Sequence, residues 1–277
     1  MITEKTNTNW LRFYGSNNTR DLGGLCSKDG RRIQSGRLIR SGVLSHVSGH
    51  AGKKLKEHDK LQTMIDLRTD GERARHPVPE MKGIEAIHIP VLQSAMLGIT
   101  EDEASTEDKI KGIMRAGLSE KEFMSRVYTD IISDPHAISA YRALFQVLLA
   151  QESGTTMYFC SHGRDRTGIA TMLILSALDV PIEIIRADYL VMPVQEVRQQ
   201  RLISALAFLH RITPEQAEFA KAFSAPSAER FDNALRWIET HYRSVQNYLT
   251  EELGIGLSMR LQLQALYLED VKLSLPD

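Results

Sequence analysis

Two hydrophobic periods divide this chain. In the first ninety residues apolar runs are short and closed by turn residues. The stretch 17–45, NNTRDLGGLCSKDGRRIQSGRLIRSGVLS, carries five glycines, with Gly23-Gly24 and Asp29-Gly30 as turn signals between short strands. GRLIRSG (Gly36 to Gly42), TMIDLR (Thr63 to Arg68) and IEAIHIPV (Ile84 to Val91) read as strands, the last with an approximate period of two. GHAGKKLKEHDKLQ (Gly49 to Gln62) reads as a polar helix or loop. From Lys121 to Gln151 the period becomes helical: Phe123, Val127 and Ile131, then Ile138, Tyr141, Leu144, Phe145, Leu148 and Leu149. Ser133-Asp134-Pro135 predicts a break between two helices. TTMYFC (Thr155 to Cys160) is β-prone, and IATMLILSALD beyond it is a strong helix closed before Pro181. From Ile182 the pattern is helical almost to the end, with breaks near Thr213-Pro214, Ser224-Ala225-Pro226 and Leu253-Gly254. Strands alternating with helices, then a helical tail, predict an α/β fold with one sheet and helical additions.

Composition narrows the function classes. The formal net charge of 277 residues is -1, so a positive site for an anion must be local, and no basic surplus points to nucleic acid. Two cysteines, Cys26 and Cys160, exclude a disulfide framework and a multi-cysteine zinc site. Cys26 has no charged surroundings and reads as structural; a redox link to Cys160 is the minor alternative. His46, His50, His58, His76 and His88 show no metal-ligand spacing and read as exposed or core histidines. MITEKTNTNW lacks the apolar core of a secretory signal, and no stretch of about 18 apolar residues predicts stable membrane insertion. A soluble, cytoplasmic protein is expected, with export that needs no cleaved signal left open. Residues 94–120, acidic and then basic with no firm period, read as a loop or lid, although the acidic run 101–108 also suits a plain solvated surface.

The chemistry gathers in FCSHGRDRTG, Phe159 to Gly168. A strand ends at Cys160, a tight loop follows, and a helix is expected to open near Thr167. Loop N–H groups and the positive end of the new helix then face one spot, which is an anion cradle before any side chain is counted. Arg166 adds a planar fork of donors suited to two oxygens of one phosphate. The same field favours the nucleophilic thiolate at Cys160. Attack of that sulfur on a bound phosphate would give a thiophosphate intermediate that water hydrolyses, with no metal or other cofactor required.

Cys160 to Arg166, followed by Thr167-Gly168, resembles the C-x5-R signature of the cysteine-dependent protein tyrosine phosphatases. CSHGRDRTG is similar to the C-x-x-G-K-D-R-T-G form of bacterial tyrosine and dual-specificity phosphatases, some of which also act on phosphoinositides. NTRDLGG (Asn18 to Gly24), GRLIRSGVLS, MIDLRTDGER (Met64 to Arg73), ADYL (Ala187 to Leu190) and NYLTEELGI share the resemblance, which spans about residues 17–270. It implies one phosphatase domain over residues 1–277: a central mixed, largely parallel sheet flanked by helices, and a helical lid or extension over roughly 190–277.

It further implies Cys160 as nucleophile, Arg166 as phosphate clamp, and the backbone of Ser161, His162, Gly163, Arg164, Asp165 and Arg166 as the cradle. Thr167 would bond the sulfur as it leaves. Asp165 would donate the proton to the leaving oxygen, with Asp66 the competing acid or a structural carboxylate beside an arginine. Arg20, Asp21 and Arg40 suit either support of the loop or ordinary salt bridges. The implied substrate is a phosphotyrosine protein; the alternatives are a phosphoinositide or a phosphate-binding module of low activity. That last alternative rests on Phe159, which stands where the family has His, with His162 as a partial substitute. Arg164 stands where the subfamily has Lys. The helices from Pro193 to Tyr242 resemble a region that covers the active site in bacterial relatives, or else simply pack on the core. Oligomeric state is not legible.

Overall fold

In the computed structural model of the chain, the described residues are 9–11, 18–44, 53, 55–57, 60–93, 119–191, 194–209, 213, 217, 218, 221 and 225–270. The expected lid of residues 94–120 lies outside them except at its last two positions, as do His46, His50 and His58.

Six strands form the main sheet: β1 (Asn9–Trp10), β2 (Arg20–Asp21), β4 (Leu38–Ser41), β5 (Leu61–Asp66), β6 (Glu85–His88) and β7 (Thr155–Phe159), in the order β1-β2-β4-β7-β5-β6. β4, β7, β5 and β6 run parallel, while β2 and β1 add antiparallel at one edge. The sheet is thus mixed and largely parallel. β7 is buried at every position, as a strand covered on both faces must be.

Helix α1 (Asp70–Arg75) follows β5, and α2 (Glu120–Ser133) and α3 (Pro135–Ala150) precede β7. The predicted break between α2 and α3 falls at Asp134, which ends one helix and caps the next by accepting from His136 N, with Pro135 at the first helical position. α4 (Asp165–Ala177) leaves the end of β7, and α5 (Ile182–Tyr189), α6 (Val194–Phe208), α7 (Ala228–Tyr242) and α8 (Leu257–Tyr267) make up the helical C-terminal part. One expectation is corrected there. The chain ends its described part in a strand, β8 (Leu268–Glu269), which pairs antiparallel with β3 (Arg32–Ile33) in a second, two-stranded sheet. A two-residue strand is too short to show a period, and only its partner 235 positions away in the chain defines it.

All thirteen residues of α4 are buried, so the helix that opens at the cysteine loop is also the centre of the core. The large cluster around it joins side chains from Leu22 to Leu268. A smaller cluster of Ile39, Leu44, Leu55, Leu61, Met64, Met157 and Phe159 fills the opposite face of the sheet. Leu173→Ala, in the middle of α4, is expected to lower the unfolding free energy by about 2–5 kcal/mol with an unchanged denaturant slope, measured by urea unfolding.

Candidate active site

The loop Cys160 to Arg164 sits at the C-terminal end of the parallel strands, where open α/β sheets leave a crevice. α4 begins at Asp165, two residues before the expected start, so Asp165 and Arg166 belong to its first turn. An acidic residue there is favoured by the positive end of the helix.

The loop is shaped by what holds its carbonyls. Ser161 O accepts from Val43 N at 3.1 Å, and Asn18 Nδ2 donates to His162 O at 3.3 Å and Gly163 O at 2.8 Å. Arg40 Nη2 also donates to Gly163 O at 2.8 Å. Because a peptide unit is planar and trans, carbonyls drawn outward turn the N–H groups of His162, Gly163 and Arg164 the other way, into the loop. Gly163 sits at φ +67°, and a Cβ there would lie 2.6 Å from Gly42 N and from Ser41 C and O. Only glycine fits both the angle and the space.

Arg40 is in turn fixed by Asp188 of α5. Arg40 Nη1 donates to Asp188 Oδ2 at 2.5 Å, and Arg20 Nε donates to Asp188 Oδ1 at 2.9 Å. Arg20 also donates to the Asn18 side chain. Burial pushes the Asp188 carboxyl up, but the two guanidinium groups outweigh it and hold its pKa below the usual range. One carboxylate between two buried guanidinium groups leaves a net positive charge beside the loop. Of the two readings of Arg20 and Arg40, the geometry matches support of the loop. Asp21 does something local, accepting from Gly23 N and Gly36 N at 2.9 and 2.7 Å to close turns.

Arg166 is fully buried and meets a residue to which the sequence reading assigned no role. Its Nη1 and Nη2 donate to Glu72 Oε2 and Oε1 at 2.6 and 2.8 Å, a fork-to-fork pair that sets the plane of the guanidinium. Ser161 Oγ donates to the same Oε1. Glu72 is placed by its helix: the Thr69 side chain caps α1 and Glu72 reaches back to Thr69 N at 2.9 Å. That capping box, Thr69-Asp70-Gly71-Glu72, was the available sequence signal, although it predicts only a helix start. Burial pushes Glu72 up, yet Arg166, Ser161 and the Thr69 amide hold its pKa well below the usual carboxylate range.

Cys160, where β7 gives way to the loop, is 2% exposed. The fully buried Thr167 hydroxyl makes no hydrogen bond among the described residues. Arg164 is buried and His162 partly so, and burial followed by the charge of Arg164 lowers the His162 pKa to about 4. Asp165 is buried and its Oδ1 accepts from Tyr128 Oη at 2.5 Å. Burial raises its pKa, but Arg164, Arg230 and the Tyr128 hydrogen bond prevail, so the net shift is downward.

Asp66 is placed differently from Asp165. Its Oδ1 accepts from Arg68 N and Nε at 3.0 and 2.9 Å, and its Oδ2 from Arg68 Nη2 at 2.7 Å. It pairs in register with Phe159, and both lie on the sheet face opposite Tyr158 and the large core. The Phe159 ring packs in the smaller cluster with the Arg68 guanidinium 5.5 Å from its centre, beside a cleft of about 480 Å3. Strand alternation therefore turns Phe159 away from the thiol. Cys26, free like Cys160, pairs through its backbone with Arg32 in an isolated antiparallel β-bridge next to β3. His76 and His88 attend Arg68, which donates to His76 O at 2.8 Å, and His88 Nε2 lies 2.7 Å from Arg68 O.

Residues 11–269 match the family model described as the tyrosine phosphatase family. A Cupriavidus necator protein provisionally named a tyrosine-protein phosphatase is 29% identical over 262 residues, covering 93% of this chain and 88% of that protein. The triple specificity protein phosphatase PtpB of Mycobacterium tuberculosis is 28% identical over 246 residues, covering 79% of this chain and 86% of its own.

Glu72→Gln is expected to cost about 3–5 kcal/mol at neutral pH, because it leaves Arg166 buried without its counter-charge. Glu72, Asp188 and Asp165 all have depressed native pKa values, so their stabilisation is present above the unfolded values near 4 and is lost as pH falls. Unfolding free energy measured from pH 7 to 3 should drop on the acid side, with a shallower fall in Glu72→Gln. Phe159→His is expected to destabilise by about 1–3 kcal/mol, by burying an imidazole beside Arg68, without raising kcat. A gain in turnover would show that residue 159 acts on the thiol after all.

Proposed function

The chain belongs to the tyrosine phosphatase family and is a phosphomonoester hydrolase, and from that premise we propose that Cys160 carries the phosphoryl group during turnover. The single observation that supports this most is the loop itself. Its carbonyls are held outward by Asn18, Arg40 and Val43, its N–H groups turn inward, and the buried Cys160 opens it.

In the proposed first step the Cys160 sulfur attacks phosphorus and the bond to the leaving oxygen breaks. Asp165 gives that oxygen its proton. Charge on the three equatorial oxygens is met by the loop N–H groups and by Arg166, whose plane Glu72 fixes. In the second step water attacks the phosphocysteine, Asp165 takes the proton back, and Thr167 donates to the departing sulfur. Arg164, Arg230 and the Tyr128 hydrogen bond hold the pKa of Asp165 down. A phosphate dianion entering within hydrogen-bond distance raises it, as any neighbouring like charge does, and so supplies the protonated form when it is needed. Asp66, with both oxygens on Arg68, serves the strand end rather than the reaction.

We assign phosphotyrosine in proteins as the preferred substrate, on family membership. Because one relative is named for triple specificity, the substrate panel should extend to phosphoserine peptides and phosphoinositides. The highest kcat/KM is expected for phosphotyrosine peptides; a preference for phosphoinositide vesicles would overturn that assignment. Wild type should release phosphate from para-nitrophenyl phosphate without added metal. Cys160→Ser should lower the rate by at least ~1000-fold and Arg166→Lys by roughly 100- to 1000-fold, both in steady-state assays.

A further inference from the structure

Asp165 sits at the end of a chain of hydroxyls that no part of the reaction above uses. Tyr128 comes from α2 and Tyr189 from α5, and their hydroxyls are 2.5 Å apart. Tyr128 Oη is also 2.5 Å from Asp165 Oδ1. Both rings are buried. Gly168, one turn into α4, makes the approach possible: a Cβ there would lie 2.9 Å from the Tyr189 ring.

We infer that Tyr128 and Tyr189 position Asp165 for proton transfer, Tyr189 donating to Tyr128 and Tyr128 to Oδ1, so that the transferable proton resides on Oδ2. The inference rests on the reading of Asp165 as the proton donor. Each hydroxyl has one hydrogen to give. Tyr128 spends its hydrogen on Asp165, so its contact with Tyr189 can only be as acceptor, which assigns the direction of both bonds. With Oδ1 committed as an acceptor, a proton added to Asp165 has one oxygen left, Oδ2.

The electrostatic surroundings keep both hydroxyls protonated. Asp165 is faced by Arg164 and His162 of the loop, by Arg166 beside it in α4, by Arg230 of α7, and by the two tyrosines. Burial raises the pKa of both tyrosines, Tyr128 far above the phenol range, and the negative charge of Asp165 adds to that, so both remain donors rather than ions. Arg230 acts on all three groups, which ties α7 in the C-terminal helical part to the proton donor of the loop. A carboxyl that must gain and lose a proton in a dry site is free to hold it on either oxygen. The two hydroxyls remove that freedom, and no proton other than that of Asp165 moves.

The test is the pH dependence of kcat/KM for aryl phosphates of high and low leaving-group pKa, in wild type, Tyr128→Phe, Tyr189→Phe, the double variant and Asp165→Asn. Removing a hydrogen bond to the ionised carboxylate raises its pKa, so Tyr128→Phe should move the alkaline limb upward by about half to one unit. It should also slow phenyl phosphate by roughly tenfold and p-nitrophenyl phosphate much less. Tyr189→Phe should move the limb in the same direction by less, and keeps the test available if Tyr128→Phe does not fold. Because Tyr189 acts through Tyr128, the double variant should match Tyr128→Phe alone rather than the sum of the two. Loss of the alkaline limb in Asp165→Asn with an unmoved limb in both tyrosine variants, or additive effects in the double variant, would overturn the positioning role alone. Retention of the wild-type limb and leaving-group dependence in Asp165→Asn would overturn the proton-donor reading, and this inference with it.

Discussion

A guanidinium buried without a counter-charge is among the most costly groups a protein can hold, and this site buries several guanidinium groups, each against a carboxylate. Arg166 is fully buried against Glu72, and Arg20 and Arg40 share Asp188. Much of the loop's shape follows from how those cations are paired. Glu72 sets the plane of Arg166 and reaches Ser161; Asp188 sets Arg40, which draws the Gly163 carbonyl outward. The pairs draw on four stretches of chain besides α4 itself, so the loop has the right shape only when β2, β4, α1 and α5 have all docked. Fold and site therefore rest on the same interactions.

The sheet also separates two environments one residue apart. Phe159 faces the smaller cluster and Arg68, while Tyr158 and Cys160 belong to the larger core. The period of two in β7 is what makes an aromatic residue immediately before the cysteine compatible with a charged cradle. The same alternation accounts for Asp66, which ends its strand on the Phe159 side and is taken up by Arg68.

Much of this was legible in the residues. The break at Asp134-Pro135 carries a capping residue and a proline, both local signals, and it fell where expected. Cys160, Arg166 and Thr167 could be singled out because a strand end, a tight turn and a helix start are all written within ten residues. The start of α4 was placed two residues late, since Arg164 at its cap makes no side-chain capping bond and so leaves no signature. Glu72 was missed as a partner of Arg166 because its only local signal, the capping box with Thr69, says where a helix begins and nothing about what the carboxylate meets 94 positions away. Strand β8 was missed for the same kind of reason.

The sequence by itself therefore determined which groups meet: a thiol, a planar cation and a hydroxyl at a spacing that one turn of loop and helix must bring together. Tertiary structure alone decided the partners. Which arginine shares Asp188, which oxygen of Asp165 Tyr128 occupies, and which face Phe159 takes are set by side chains meeting across long separations. Such contacts leave no local period, because they depend on the shape of the whole core rather than on neighbours along the chain.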